Sequence, residues 1–110
     1  MALRDVTGAV DFSVLEAATG KDDAISEEVL GLFVEQAGMW SSLLDTPAWK
    51  DACHTLRGAA SGIGAADLAQ ACAAAEGGQG ELDRVRFALD AALGDVAAYR
   101  HAMALRSLRG

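Results

Sequence analysis

His54 is the side chain in this sequence with the most chemistry to offer. On a helix, residues three, four and seven places away share a surface with it. Here those are Lys50, Asp51, Arg57, Gly58 and Ser61. An imidazole flanked by two cations and two small residues suits phosphoryl transfer. A neutral ring nitrogen is a nucleophile, and histidine's ordinary pKa of about 6.5 leaves most rings neutral at neutral pH. Lys50 and Arg57 can draw in the phosphoryl oxygens. Gly58 and Ser61 keep the approach clear, which matters because in-line transfer puts the attacking and leaving atoms on one axis. Gly58 also costs a helix up to about 1 kcal/mol relative to Ala. Access to His54 gives that cost a reason. Spacing alone leaves open that His54 is an ordinary surface histidine.

The elements around it read as helices. A short first helix is expected over residues 11–19, capped by Asp11 or Ser13 and ended by Gly20. A second begins near residues 23–26, with Asp22, Asp23, Glu27 and Glu28 at its positive end. Its apolar positions are Val29, Leu30, Phe33, Val34, Ala37, Trp40 and Leu44, the i, i+3, i+4 repeat of an amphipathic helix. Thr46-Pro47 restarts the chain, with Thr46 as N-cap and Pro47 at the first helical position. That helix is expected to run over residues 47–61 with Trp49, Cys53, Leu56, Ala60 and Ile63 inward. A break follows over residues 61–64. A fourth helix spans 65–76, with Leu68, Cys72 and Ala75 inward. Gly77-Gly78-Gln79-Gly80 is the strongest turn signal, and a last helix runs over 81–107 on Leu82, Val85, Leu89, Leu93, Val96, Tyr99 and Met103. No strand alternation persists. The expected fold is all-α: an antiparallel up-and-down four-helix bundle with a short extra N-terminal helix. Residues 1–10 read as a tail and 11–107 as one domain.

Composition narrows the function classes. The 110 residues fit one domain, and 52% are hydrophobic, too many for a disordered chain. The net charge of -7 is opposite to that of a nucleic-acid reader and points to protein partners. The N-terminus lacks the apolar stretch of a signal peptide, and no segment approaches the ~20 apolar residues of a membrane span, so a cytoplasmic protein is expected. Cys53 and Cys72 lie in apolar contexts at no metal-binding spacing and read as core residues. His101, beside Arg100, reads as a surface histidine. Neither histidine has a Glu three places before it, and no metal site is expected. The glycines at 77–80 lack the Lys-Ser/Thr of a nucleotide-binding loop. The chain is therefore not expected to phosphorylate itself from ATP.

The run His54-Thr55-Leu56-Arg57-Gly58, with Gly64 six residues beyond Gly58, resembles the signature of histidine phosphotransfer (HPt) domains. In that family Leu, a cation and two glycines follow the histidine at fixed offsets. Residues 64–72, ending at Glu76, are similar to the family's next helix. Residues 15–33 are similar to its N-terminal part. Arg57 stands where Lys is commoner, which keeps the charge with a different geometry, and Ala75 stands where Leu is frequent.

The resemblance implies a four-helix bundle in which His54 accepts a phosphoryl group from a receiver-domain aspartate and passes it to another receiver. The donor can belong to a hybrid sensor kinase. It implies that Arg57 assists the phosphate, beside the Lys50 that spacing puts on the same face, and that Gly58 leaves room for the receiver. Ser61, Ala65 and Leu68 are expected to complete the docking surface. No cofactor is expected on this chain, Mg²⁺ belonging to the receiver. A monomer that binds neither nucleic acid nor membrane is expected. The competing reading is a non-catalytic helical adaptor that keeps the shape. It predicts partner binding that survives His54→Ala with no phosphate uptake.

Overall fold

The computed structural model describes residues 8–109, the side chain of Arg109 excepted. It contains five helices: α1 (Phe12–Thr19), α2 (Asp23–Ser41), α3 (Trp49–Ile63), α4 (Ala66–Glu76) and α5 (Leu82–Arg109). No strand occurs among the described residues. Helices α2 to α5 pack in a closed ring, α2 on α3, α3 on α4, α4 on α5 and α5 on α2, while α1 lies against α2 and α3. This is the four-helix bundle with a short extra N-terminal helix. It measures 47 × 22 × 22 Å.

Local chemistry accounts for most boundaries. The Asp11 carboxylate accepts from the Ser13 N–H at 3.1 Å and starts α1. The Asp22 carboxylate accepts from the Ile25 N–H at 3.1 Å and starts α2. Thr46 does not cap α3 as expected. Its Oγ1 accepts from the Ala48 N–H at 3.1 Å, inside a turn closed by Trp49 N–H to Thr46 O at 3.1 Å. Pro47 therefore sits in that turn, and α3 begins at Trp49.

The expected break over residues 61–64 contracts to the two residues Gly64 and Ala65. Helix α3 continues through Ser61 and Gly62 because that buries Ile63 to 2% exposure. Gly64 then takes φ 88°, and its N–H bonds back to Ala60 and Ser61. Only Gly fits there on two counts. The left-handed backbone disfavours a side chain, and a Cβ would lie 2.2 Å from the Asp11 carbonyl oxygen. The Asp11 N–H in turn donates to the Gly64 carbonyl at 2.8 Å, which ties the start of α1 to the end of α3.

The core is Leu30, Phe33, Ala37 and Leu44 against Leu56, Ala60 and Ile63, with Leu68, Cys72, Val85, Leu89, Val96 and Met103 closing it. Val29, Trp40, Trp49, Leu82 and Leu93 are partly buried at its margin, and Val34 is exposed. Helix α1 is held by Phe12 stacked on Tyr99 at 4.1 Å and by the Tyr99 hydroxyl donating to Glu16 at 2.9 Å. Burial pushes the Tyr99 phenol up, with Glu16 adding to it.

Packing also reaches into the expected tail. Val10 is buried, and its N–H donates to the buried Asp95 carboxylate at 3.2 Å. Residues 1–7 of that tail lie outside the described residues. No described helix is long and apolar enough to cross a membrane.

Candidate phosphotransfer site

Helix α3 buries Ala52, Cys53, Leu56, Ala60 and Ile63 and so turns the residue after Cys53 outward. His54 stands on that outer face with its side chain 68% exposed. A reactive ring must be reached by another protein, and this exposure permits it.

The ring does not stand alone. His54 Nδ1 lies 3.2 Å from Glu76 Oε1, at the last residue of α4. An Arg57 terminal guanidinium nitrogen lies 3.4 Å from the same Nδ1, and Arg57 Nε is 3.6 Å from Glu76 Oε2. The three side chains form a triangle across the α3–α4 seam. Glu76 is only 21% exposed, and its Oε2 is buried without a hydrogen bond among the described residues. A carboxylate at a helix C-terminus also faces the negative end of the helix dipole. Arg57 and the imidazole are what favour an anion there. Its charge reaches below the surface too. Burial first, and Glu76 next, push the Cys53 thiol up; burial pushes the Cys72 thiol up to about 12, with Cys53 and then Glu76 adding to it. Both cysteines are core residues, fully buried.

Of the two expected cations, Arg57 meets the ring. The Lys50 ammonium lies over the Trp49 ring instead, 5.9 Å from its centroid. Gly58 and Ser61 are exposed beside His54. A Cβ on Gly58 would meet nothing within 4 Å, so this glycine leaves open space over the helix and is not required by close packing.

Ala65 and Leu68, expected on the docking surface, do not reach the surface. They are 0% and 1% exposed. Ala65 precedes α4 and accepts the Ala69 N–H at 3.0 Å, and the helical turn that follows puts Leu68 into the core. Their neighbours Ala66, Ala69 and Ala73, with Val14, Arg57 and Ser61, line an open groove of about 550 Å³ along α3 and α4. The sequence reading did not select Glu76 or this groove. Glu76 lies 22 residues from His54, and its role exists only once α4 folds back on α3.

The remaining polar clusters are ties between helices. Arg100 Nε donates to both Glu27 oxygens at 3.1 Å, joining α5 to α2 and holding the Glu27 carboxyl below its usual range. Arg86 binds Asp45 and Asp83. His101 is exposed near the end of α5. Among the described residues no group of three or more His, Cys, Asp or Glu is placed to hold a metal ion.

Comparison with known proteins agrees with this geometry. The family model for the Hpt domain matches residues 27–101. The crystal structure of the histidine phosphotransferase ShpA from Caulobacter crescentus superposes with a TM-score of 0.88 at 55% identity, covering 92% of this chain and 99% of that one. No curated protein matches the sequence. With an all-helical bundle, a family match from α2 into α5 and a histidine phosphotransferase of the same shape, the chain belongs to the Hpt domain family and serves histidine phosphotransfer in a phosphorelay.

Proposed function

We propose that His54 is the phosphoryl carrier and that Nε2 is its reacting atom. The observation that carries this reading is the ring's placement. The side chain is 68% exposed, and Nδ1 is engaged by Glu76. Donation of the Nδ1 proton to a carboxylate leaves the lone pair on Nε2, the nitrogen without a protein partner among the described residues. Attack by that lone pair on an aspartyl phosphate forms the N–P bond, and the P–O bond breaks with its electrons going to the aspartate. The reverse step returns the group to a second aspartate.

The partner is a receiver domain, including one borne by a hybrid sensor kinase. The groove of Ala66, Ala69 and Ala73 beside Arg57 and Ser61 offers it an apolar seat, and the space over Gly58 admits its active-site rim. Arg57 is the near cation for the phosphoryl oxygens. Lys50, more distant, contributes to the positive potential of the face. The Mg²⁺ of the reaction is the receiver's, and this chain needs no cofactor of its own. It is a monomeric cytoplasmic phosphocarrier without kinase activity, so ATP alone should leave it unlabelled.

The test is transfer from a radiolabelled phospho-receiver. The wild-type chain should take up label that is lost in acid, as expected of a phosphoramidate, and His54→Gln should take up none. Labelling of the His54→Gln chain to the wild-type level would overturn the assignment.

A further inference from the structure

The phosphoryl chemistry above does not use Asp95, which sits within α5 at 0% exposure. Aspartate is almost never fully buried unless its oxygens are satisfied, because an unsatisfied polar group is costly there. Asp95 Oδ2 accepts the Val10 N–H at 3.2 Å. Val10 is itself buried and belongs to the strap of residues 8–11 that leads into α1. A strap ahead of its helix has no helical carbonyl to take that N–H, so the acceptor has to come from another element.

The strap lies where it shapes the receiver groove. The next N–H along, that of Asp11, donates to the Gly64 carbonyl at 2.8 Å, at the α3–α4 turn. One helical turn on from Asp95, Tyr99 stacks on Phe12 at 4.1 Å, and its hydroxyl donates to Glu16 at 2.9 Å. Helix α5 thus grips the segment through Val10, Phe12 and Glu16. Asp11 and Val14 are left to line the groove with Arg57 and Ser61. With only 8 residues, α1 is too short to be stable without such contacts.

We propose that Asp95 is a positioning residue for receiver docking: by holding the Val10 N–H it fixes the α1 wall of the groove. Without that acceptor the Val10 N–H has to reach water to be satisfied, which draws the strap off α5. The receiver must then order α1 as it binds, and its affinity falls by that cost. His54, Arg57 and Glu76 lie on α3 and α4, so the step on phosphorus keeps its rate once the receiver is seated.

The inference rests on His54 being the carrier and on the groove being the receiver's seat, and its test separates docking from chemistry. Two variants remove the acceptor. Asp95→Ala leaves a void, and Asp95→Leu fills it with apolar atoms, a replacement for buried charged groups that is often neutral or stabilising. Asp95→Asn keeps an accepting oxygen. In hydrogen exchange of the full chain, the Val10 amide should be protected in wild type and in Asp95→Asn, and exposed in the other two. In transfer from a phospho-receiver, the folded acceptorless chains should show a receiver KM raised about 3- to 10-fold with kcat within about 2-fold, the pattern of lost binding. Asp95→Asn should keep the wild-type KM. A role in stability alone would lower the folded fraction, and with it kcat, and leave KM as it was. An unchanged KM in a folded acceptorless chain, a fall confined to kcat, a Val10 amide still protected in Asp95→Leu, or an Asp95→Asn chain with the KM of Asp95→Ala would overturn the proposal. Ala66→Lys, on the opposite wall, checks the groove itself: it should raise KM, and a wild-type KM there would mean that the receiver docks elsewhere and would overturn the proposal on that ground. The carrier assignment falls separately, with labelling of His54→Gln.

Discussion

At the scale of single residues, Gly58 separates stability from function most cleanly. It is a helical glycine whose added Cβ would meet open space. Gly58→Ala should therefore stabilise the folded chain by about 0.5–1 kcal/mol, the helix propensity difference alone. Gly58→Lys should stabilise it comparably in urea titrations while blocking transfer, because the long side chain fills the receiver's approach to His54. A Gly58→Lys chain that transfers at the wild-type rate would show that clearance over the helix is irrelevant. Leu68 makes the reverse case. It is buried, so Leu68→Ala should cost about 2–5 kcal/mol. At a temperature where the variant stays folded, receiver affinity should be unchanged.

At the scale of elements, the α3–α4 turn sets the site. Glu76 reaches His54 only if α4 leaves Gly64 at the right angle, and Gly64 carries both a φ of 88° and a carbonyl oxygen 2.2 Å from where a Cβ would stand. Gly64→Ala should destabilise the chain by more than about 1 kcal/mol, the cost of the backbone conformation with a steric clash added. Chemical denaturation measures the first effect. A weakened His54–Glu76 contact, seen as a mixed His54 tautomer in the remaining folded protein, measures the second. The helices themselves were largely legible from sequence, since the periodicity of Leu30, Phe33, Ala37 and of Val85, Leu89, Val96 encodes which face is buried. Ends were less so. Thr46-Pro47 carries the chemistry of a helix start, yet the chain spends it on the turn before Trp49. Ser61-Gly62 looks like a break, yet burying Ile63 carries the helix through it. In both places tertiary packing outweighs local propensity, which is worth less than about 1 kcal/mol per residue.

At the scale of the whole molecule, the net charge of -7 is balanced at few points. Arg100 on Glu27 and Arg106 on Asp23 join α5 to α2. The hydrogen bonds from Arg100 lower the Glu27 pKa in the folded state. A lowered carboxylate pKa means that the unfolded chain binds more protons. The pair's contribution is thus full above the unfolded glutamate value and is lost as pH falls through the lower, folded one. Glu27→Gln should remove that part of the acid limb in a plot of melting temperature against pH, leaving neutral-pH stability reduced by under about 1 kcal/mol because the pair is exposed. A variant curve parallel to wild type down to pH 3 would show that the pair does not couple to folding.

The sequence by itself determined the helices, the outward face of α3 and the histidine that stands on it, because these depend on the order of residues within one helix. His54, Arg57, Gly58 and Ser61 share a face by helical period alone. The tertiary structure decided which neighbours that face acquires. Glu76 joins the ring, Lys50 leaves it for Trp49, Ala65 and Leu68 go inward, and Ala66, Ala69 and Ala73 line the groove in their place. Those outcomes turn on how α4 is rotated against α3. A rotation of one residue, about 100°, exchanges a core position for a surface one, and only the packing of the whole bundle fixes it.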